Sequence, residues 1–93
     1  MATSIWHLQQ KKQRLEREIS SNLDFLIGSV TSQGPRGGHS LTTKEQGKTR
    51  SKYIRIAMVG EVRKMTQRHQ KLKGLLQELA ELNWELLKAN NEP

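Results

Sequence analysis

The chain has 93 residues, 33% of them hydrophobic and 4% aromatic, well below an average globular domain, so one copy buries little core by itself. Sixteen Lys and Arg against nine Asp and Glu give a net charge of +7, which favours nucleic acid, an anionic membrane surface or an acidic protein as partner. There is no Cys, which excludes disulfides, zinc–thiolate centres and cysteine nucleophiles, and no apolar run approaches the roughly 18 residues of a membrane span.

The charge is segregated. Residues 1–30 carry +1, residues 31–73 carry +9 and residues 74–93 carry −3. A chain kept soluble by charge alone has no need of a basic middle and an acidic end. No signal peptide is expected, because the apolar stretch at residues 1–8 is short and a charged run follows it.

Residues 5–27 predict an amphipathic helix. Ile5, Leu8, Leu15, Ile19 and Leu26 follow a heptad seam, with polar Lys12 and Asn22 at its two remaining positions. Ser4 or Thr3 can cap the start, and Gly28 and Ser29 end it. Residues 28–39 predict an irregular loop, because Gln33-Gly34-Pro35-Arg36-Gly37-Gly38 suits neither helix nor strand. Residues 40–56 predict a β-hairpin, with strands at 40–43 and 49–56 and a turn in Lys44-Glu45-Gln46-Gly47. Arg50, Lys52, Ile54 and Ile56 then share one face of the second strand, and Thr49, Ser51, Tyr53 and Arg55 the other.

Residues 58–89 predict a long helix, followed by a tail at 90–93. Met58, Met65, Leu72, Leu79 and Leu86 repeat every seven residues, and Leu75, Leu82 and Ala89 fill the second seam position of the last three heptads. Glu61 and Arg68 hold that position earlier, where Val62 and His69 share the seam instead. The expected fold is therefore a single, mainly α domain: an antiparallel, coiled-coil-like helical hairpin with a β-hairpin inserted between its helices. Antiparallel packing sets Lys11 and Arg17 beside Glu78 and Glu85, and it brings the hairpin, the loop and the first half of the second helix to one end. So small a core predicts a homodimer or a helical partner, held through Leu72, Leu75, Leu79, Leu82, Leu86 and the adjacent Trp84.

Catalytic and metal chemistry find little support. Gly47-Lys48-Thr49 ends like a phosphate loop, but Thr42 stands where the first glycine belongs and a strand follows rather than a helix. His7, His39 and His69 are dispersed, so no metal or other cofactor is expected. No nucleophile–base pair can be named, and the chain is expected not to be an enzyme.

The strongest signal is the basic hairpin. A two-stranded ribbon fits the major groove of duplex DNA. Lys44, Lys48, Arg50, Lys52 and Arg55 can contact phosphates or guanine edges, and Tyr53 offers a ring for stacking. Arg36 in the loop extends this set, as do Arg63, Lys64, Arg68 and Lys71 on the second helix, where 64, 68 and 71 share a face. The expected partner is nucleic acid, DNA in preference to RNA. A membrane is not expected, since the basic helix face lacks a wide apolar stripe with aromatic anchors.

Ile27-Gly28-Ser29, His39-Ser40-Leu41-Thr42, Gly47-Lys48-Thr49-Arg50, Tyr53-Ile54, Glu61-Val62-Arg63 and the leucine run with Leu82-Asn83 occur in an order that resembles a family of small bacterial proteins associated with transposable elements. Many members of that family carry a cysteine cluster in the loop before the hairpin; this chain has Gly34-Pro35-Arg36-Gly37-Gly38-His39 there. The resemblance implies association with mobile elements. Taken with the basic hairpin, the expectation is a nucleic-acid-binding accessory protein of such an element in the bacterial cytoplasm or nucleoid, with a transposase or recombinase as a possible partner. The alternative expectation is an adaptor whose coiled coil recruits or stabilises a larger transposase, nuclease or ribonucleoprotein.

Overall fold

The structure, a computed structural model, describes residues 5–32 and 38–91. Its elements in chain order are helix α1 (Ile5–Ser20), strands β1 (Ser29–Ser32), β2 (His39–Glu45) and β3 (Lys48–Ile54), a short 3-10 turn (Ile56–Met58) and helix α2 (Val59–Asn91). The fold is thus mixed: helices with a three-stranded antiparallel sheet in the order β1-β2-β3, where a two-stranded hairpin was expected.

The chain divides into two units, residues 1–23 with 71–93, and Asp24–Gln70. In the first, Leu8 and Leu15 of α1 are buried with Leu75 and Leu82 of α2, each pair seven residues apart and therefore on one helical stripe. Ile19, Leu79, Leu86 and Ala89 pack around them. Each buried leucine contributes roughly 1.5–3 kcal/mol. Leu8 and Lys11 line a groove of about 570 Å³ with Glu78, Glu81, Leu82 and Glu85, so the start of α1 lies beside the later turns of α2 and the two helices run antiparallel.

Helix α1 stops at Ser20, seven residues before the expected end. Asn22 does not sit in a seam. Its side-chain amide donates to the Glu18 carbonyl at 2.7 Å, and the Ser21 hydroxyl donates to the same oxygen at 2.9 Å. Short polar side chains that satisfy the last carbonyls of a helix compete with its continuation.

In the second unit the core is Leu41, Ile54 and Val62, with Leu26, Val30 and Val59 packed against it. The early turns of α2 therefore pack in a sheet core, not in the predicted helix seam. Met58, the first expected seam residue, lies in the 3-10 turn and is exposed. The segment before β1 is fastened to α2 by two bonds. The Leu26 N–H donates to the Met65 carbonyl at 3.1 Å, and the Arg68 guanidinium donates to the Asp24 carbonyl at 3.0 Å. Phe25 stacks on His69 with ring centroids 5.5 Å apart.

Strand β1 lies in the stretch expected to be loop. Val30 pairs with Leu41 and Thr31 with Ser40, so β1 forms one edge of the sheet. Gly28, just before it, has φ +134°, and a Cβ there would stand 2.6 Å from the Thr42 carbonyl oxygen. Only glycine allows the two backbones to come so close. Between β2 and β3 the turn is two residues long, with Gln46 at φ 50° and Gly47 at φ 79°. Two left-handed residues in sequence make the tight turn whose twist matches the strands.

Candidate nucleic-acid interface

The register of β2 with β3 settles which side chains share a face. Leu41 pairs with Lys52, Thr43 with Arg50, Glu45 with Lys48 and His39 with Ile54. One face of the sheet therefore holds Val30, Leu41 and Ile54 at its base and Thr43, Lys52, Arg50, Glu45 and Lys48 toward the turn. Its apolar base packs on Val62. Its charged end is exposed, and Ile54 is the one buried residue of β3. Arg50 Nε lies 3.6 Å from Glu45 Oε2, both side chains well exposed.

The opposite face is a field of hydroxyls. Thr31, Thr42 and Ser51 form a row across all three strands, their oxygens 3.1 and 3.4 Å apart. Lys44 and Thr49 lie toward the turn on this face and Tyr53 toward its base. Tyr53 is 76% exposed. Its ring approaches Gly38, where a Cβ would stand 2.8 Å from ring carbon Cε2.

Not every expected residue joins this surface. Arg55 and Ile56 fall beyond β3, so neither belongs to a strand face; Arg55 precedes the 3-10 turn and Met58 N–H donates to its carbonyl at 2.8 Å. Arg68 is half-buried and holds the Asp24 carbonyl, so its guanidinium is engaged within the protein. Arg63 is exposed and lines a groove of about 330 Å³ with Gly28, Ser29, Val30, Thr66, Gln67 and Gln70. Lys64 is exposed two residues after buried Val62, roughly 200° around the helix from it, so it points away from the sheet core. Lys71 is exposed and belongs to the other unit. Arg36 lies outside the described residues.

Charge follows this division. Asp24–Gln70 holds nine Lys and Arg residues against Asp24, Glu45 and Glu61, six of the seven net positive charges of the chain. The hydroxyl row of Thr31, Thr42 and Ser51 was missed by sequence reasoning. Its signal was the alternation of Ser29, Thr31, Ser40, Thr42, Thr49 and Ser51, which is legible only once the three strands are in register.

The seam residues are largely used within the chain. Leu72, Leu75 and Leu82 are buried, and Leu79 and Leu86 are partly buried against α1 and its neighbours. From Leu75 onward, the seam expected to carry a second copy packs on α1. Trp84 is the exception, 59% exposed.

Among the described residues no three His, Asp or Glu side chains gather as metal ligands. His7 tilts against Trp6 at 5.1 Å, and His69 keeps a buried Nδ1 without a hydrogen-bond partner beside Phe25. No helix among the described residues is long and apolar enough to cross a membrane. The site and fold define a small α+β chain with a basic, solvent-facing β-ribbon. Compared with protein-family models, curated proteins and solved structures, the chain has no match.

Proposed function

We propose that this chain is a nucleic-acid-binding protein without catalytic activity, that it grips duplex DNA in preference to RNA, and that it serves a mobile element as an accessory factor. The observation that carries the reading is the β2–β3 ribbon. Its second strand is exposed at six of seven residues and sets Lys48, Arg50 and Lys52 on one face. Lys44 and the exposed Tyr53 stand on the other.

A two-stranded ribbon has the width of the major groove, about 12 Å, so both of its faces can address groove walls. Lys44, Lys48, Arg50 and Lys52 contact phosphates, and Arg50 adds the fork that reads guanine. Tyr53 stacks or packs on a sugar. The hydroxyls of Thr31, Thr42 and Ser51 supply neutral donors for further phosphate oxygens. Arg63 and Lys64 add to the positive field rather than to the ribbon itself. The service to a mobile element follows from the resemblance of the hairpin and leucine-run residues.

The test is fluorescence anisotropy of the full chain against labelled duplex DNA and labelled RNA of matched length. Binding is expected to be tighter to duplex and to weaken linearly with log salt. The double charge reversal Arg50→Glu with Lys52→Glu should abolish it while the circular dichroism spectrum is unchanged. Absence of binding at about 50 mM salt, where phosphate contacts are strong, sinks the reading. So does wild-type affinity in the reversed variant.

A further inference from the structure

The strand register places Lys44 and Tyr53 on the same face of the sheet as the row formed by Thr31, Thr42 and Ser51, and it sends Glu45 to the other face. Within the row, Thr31 Oγ1 lies 3.1 Å from Thr42 Oγ1, and Thr42 Oγ1 lies 3.4 Å from Ser51 Oγ. Thr31 Oγ1 also lies 3.3 Å from the Ser40 carbonyl oxygen, to which it can donate. Thr42 is half-buried in the middle of the row, and Thr31 and Ser51 are exposed at its ends. A hydroxyl has one proton to donate and lone pairs with which to accept. Two of the row's protons are used between its members, and the remaining one points one of two ways. When Thr31 donates to the Ser40 carbonyl, Thr42 donates to Thr31 and Ser51 to Thr42, so Ser51 presents only lone pairs outward. When Thr31 donates to Thr42, Thr42 donates to Ser51, and the Ser51 proton turns outward. The two directions differ by one long internal bond against one external bond, so a strong acceptor beside Ser51 sets the direction of the whole row.

We propose that Ser51 donates to a phosphodiester oxygen of the bound nucleic acid, and that Thr42 positions the Ser51 proton by donating to Ser51 in turn. The inference rests on the nucleic-acid reading of the ribbon and names an uncharged contact within it. Ser51 is the contact residue, and Thr42 is a positioning residue that touches no phosphate itself.

An anion is the acceptor that this face favours. Lys44 stands on it, the strands place no carboxylate on it, and Asp24–Gln70 bears six of the seven net positive charges of the chain. A hydrogen bond to an ionised oxygen is stronger than the bond to the Ser40 carbonyl that it replaces. Hydroxyls in a chain polarise one another, so the Thr42 proton strengthens the donor that Ser51 presents. Ser51 sits on the exposed strand β3 between Arg50 and Lys52, whose side chains leave by the opposite face. These three consecutive residues address phosphates from both faces of the ribbon, two with charge and one without.

A salt series separates this contact from the charged ones, because a neutral donor releases no counterion. Fluorescence anisotropy of the full chain on labelled duplex DNA, from about 50 to 200 mM salt, reads both affinity and slope. Ser51→Ala should weaken binding about three- to tenfold at every salt concentration and leave the slope unchanged. Thr42→Val keeps the β-branched shape without the hydroxyl and should weaken binding less, about two- to threefold, while Thr42→Ser restores it. The losses should not add: the double variant should match Ser51→Ala alone, since Thr42 acts through Ser51. Thr31→Val removes only the inward direction and should keep or raise the affinity, whereas a row that merely braces the sheet makes Thr31→Val and Thr42→Val equal. Thermal melts check that each variant is folded. Should Thr42→Val melt early, Ser51→Ala and Thr31→Val at the exposed ends decide. Wild-type binding with Ser51→Ala within about twofold of it overturns the contact. Additive losses, or affinity unchanged by Thr42→Val, overturn the positioning role. A wild-type chain that does not bind duplex at all overturns the reading of the ribbon, and this inference with it.

Discussion

Removing the charges of Lys48, Arg50 and Lys52 together, as Lys48→Gln, Arg50→Gln and Lys52→Gln in one chain, separates the ribbon from the general positive field. The three side chains are exposed, and Arg50 loses only a 3.6 Å contact to an exposed Glu45. The fold should therefore hold, because exposed substitutions of this kind usually change stability by no more than about 0.5 kcal/mol. Binding should change in a countable way. Each phosphate contact contributes about 0.9 to the slope of log affinity against log salt, so three lost contacts lower the slope by about 2.7. Between about 50 and 200 mM salt, wild type should then lose about forty times more affinity than the variant. Anisotropy titrations on one labelled duplex at four or five salt concentrations measure both slopes. A melting temperature within a few degrees of wild type confirms that the comparison is fair. If the slopes agree within about one unit while the wild type binds, the ribbon does not hold the phosphates and the contacts lie elsewhere.

Glu45→Gln removes the carboxylate beside Arg50 and should raise duplex affinity several-fold at low salt, an effect that shrinks as salt is added; unchanged affinity at low salt would show that Arg50 does not face phosphate. Leu82→Ala empties a site 4% exposed between Leu8, Leu15 and Leu75 and should cost about 3 kcal/mol, lowering the thermal midpoint by about 12–24 °C. Leu23→Ala, at a residue 58% exposed, should move that midpoint by no more than a few degrees, and equal losses in the two variants would contradict the packing. Gly28→Ala places a Cβ 2.6 Å from the Thr42 carbonyl oxygen at φ +134° and should cost roughly 2–6 kcal/mol, read as loss of the cooperative melt; a near-neutral outcome would mean that β1 does not pair with β2 as described.

What could be read from the sequence depended on how many residues each signal had to speak with. The hairpin turn was legible because Gly47 follows Gln46 between two β-rich runs, and Gly47 indeed takes φ 79°. The leucines of α2 were legible because seven-residue spacing persists from Leu72 to Leu86, long enough to define a stripe. Strand β1 was not, because Val30 and Thr31 are two residues beside a glycine- and proline-rich run whose composition dominates any window. The end of α1 was misplaced for a related reason. Leu26 continues the heptad arithmetic, but Ser21 and Asn22 close the helix locally by donating to the Glu18 carbonyl, and local chemistry at two consecutive residues outweighed one apolar residue further on.

The deeper difficulty lies in what a heptad can say. Met58 and Leu72 occupy equivalent positions of one unbroken repeat, yet one is exposed and the other buried. Val62, outside the strict repeat, belongs to a sheet core, while Leu75 belongs to a helix pair. Periodicity reports that a helix has an apolar stripe; it does not report which element covers each turn of it. The same holds for charge. Eleven basic residues between 36 and 73 look like one patch when read along the chain. Folded, Arg68 secures a backbone carbonyl, Arg50 meets Glu45, and Lys44 and Lys48 stand on opposite faces of the ribbon. A basic run becomes a binding surface only after the internal hydrogen bonds have taken their share of the cations. For this chain the exposed cations include Lys44, Lys48, Arg50 and Lys52 of the ribbon, Arg55 just after it, and Arg63 and Lys64 on α2. That is why the slope of the salt dependence, which counts free cations rather than total charge, is the quantity on which the functional reading turns.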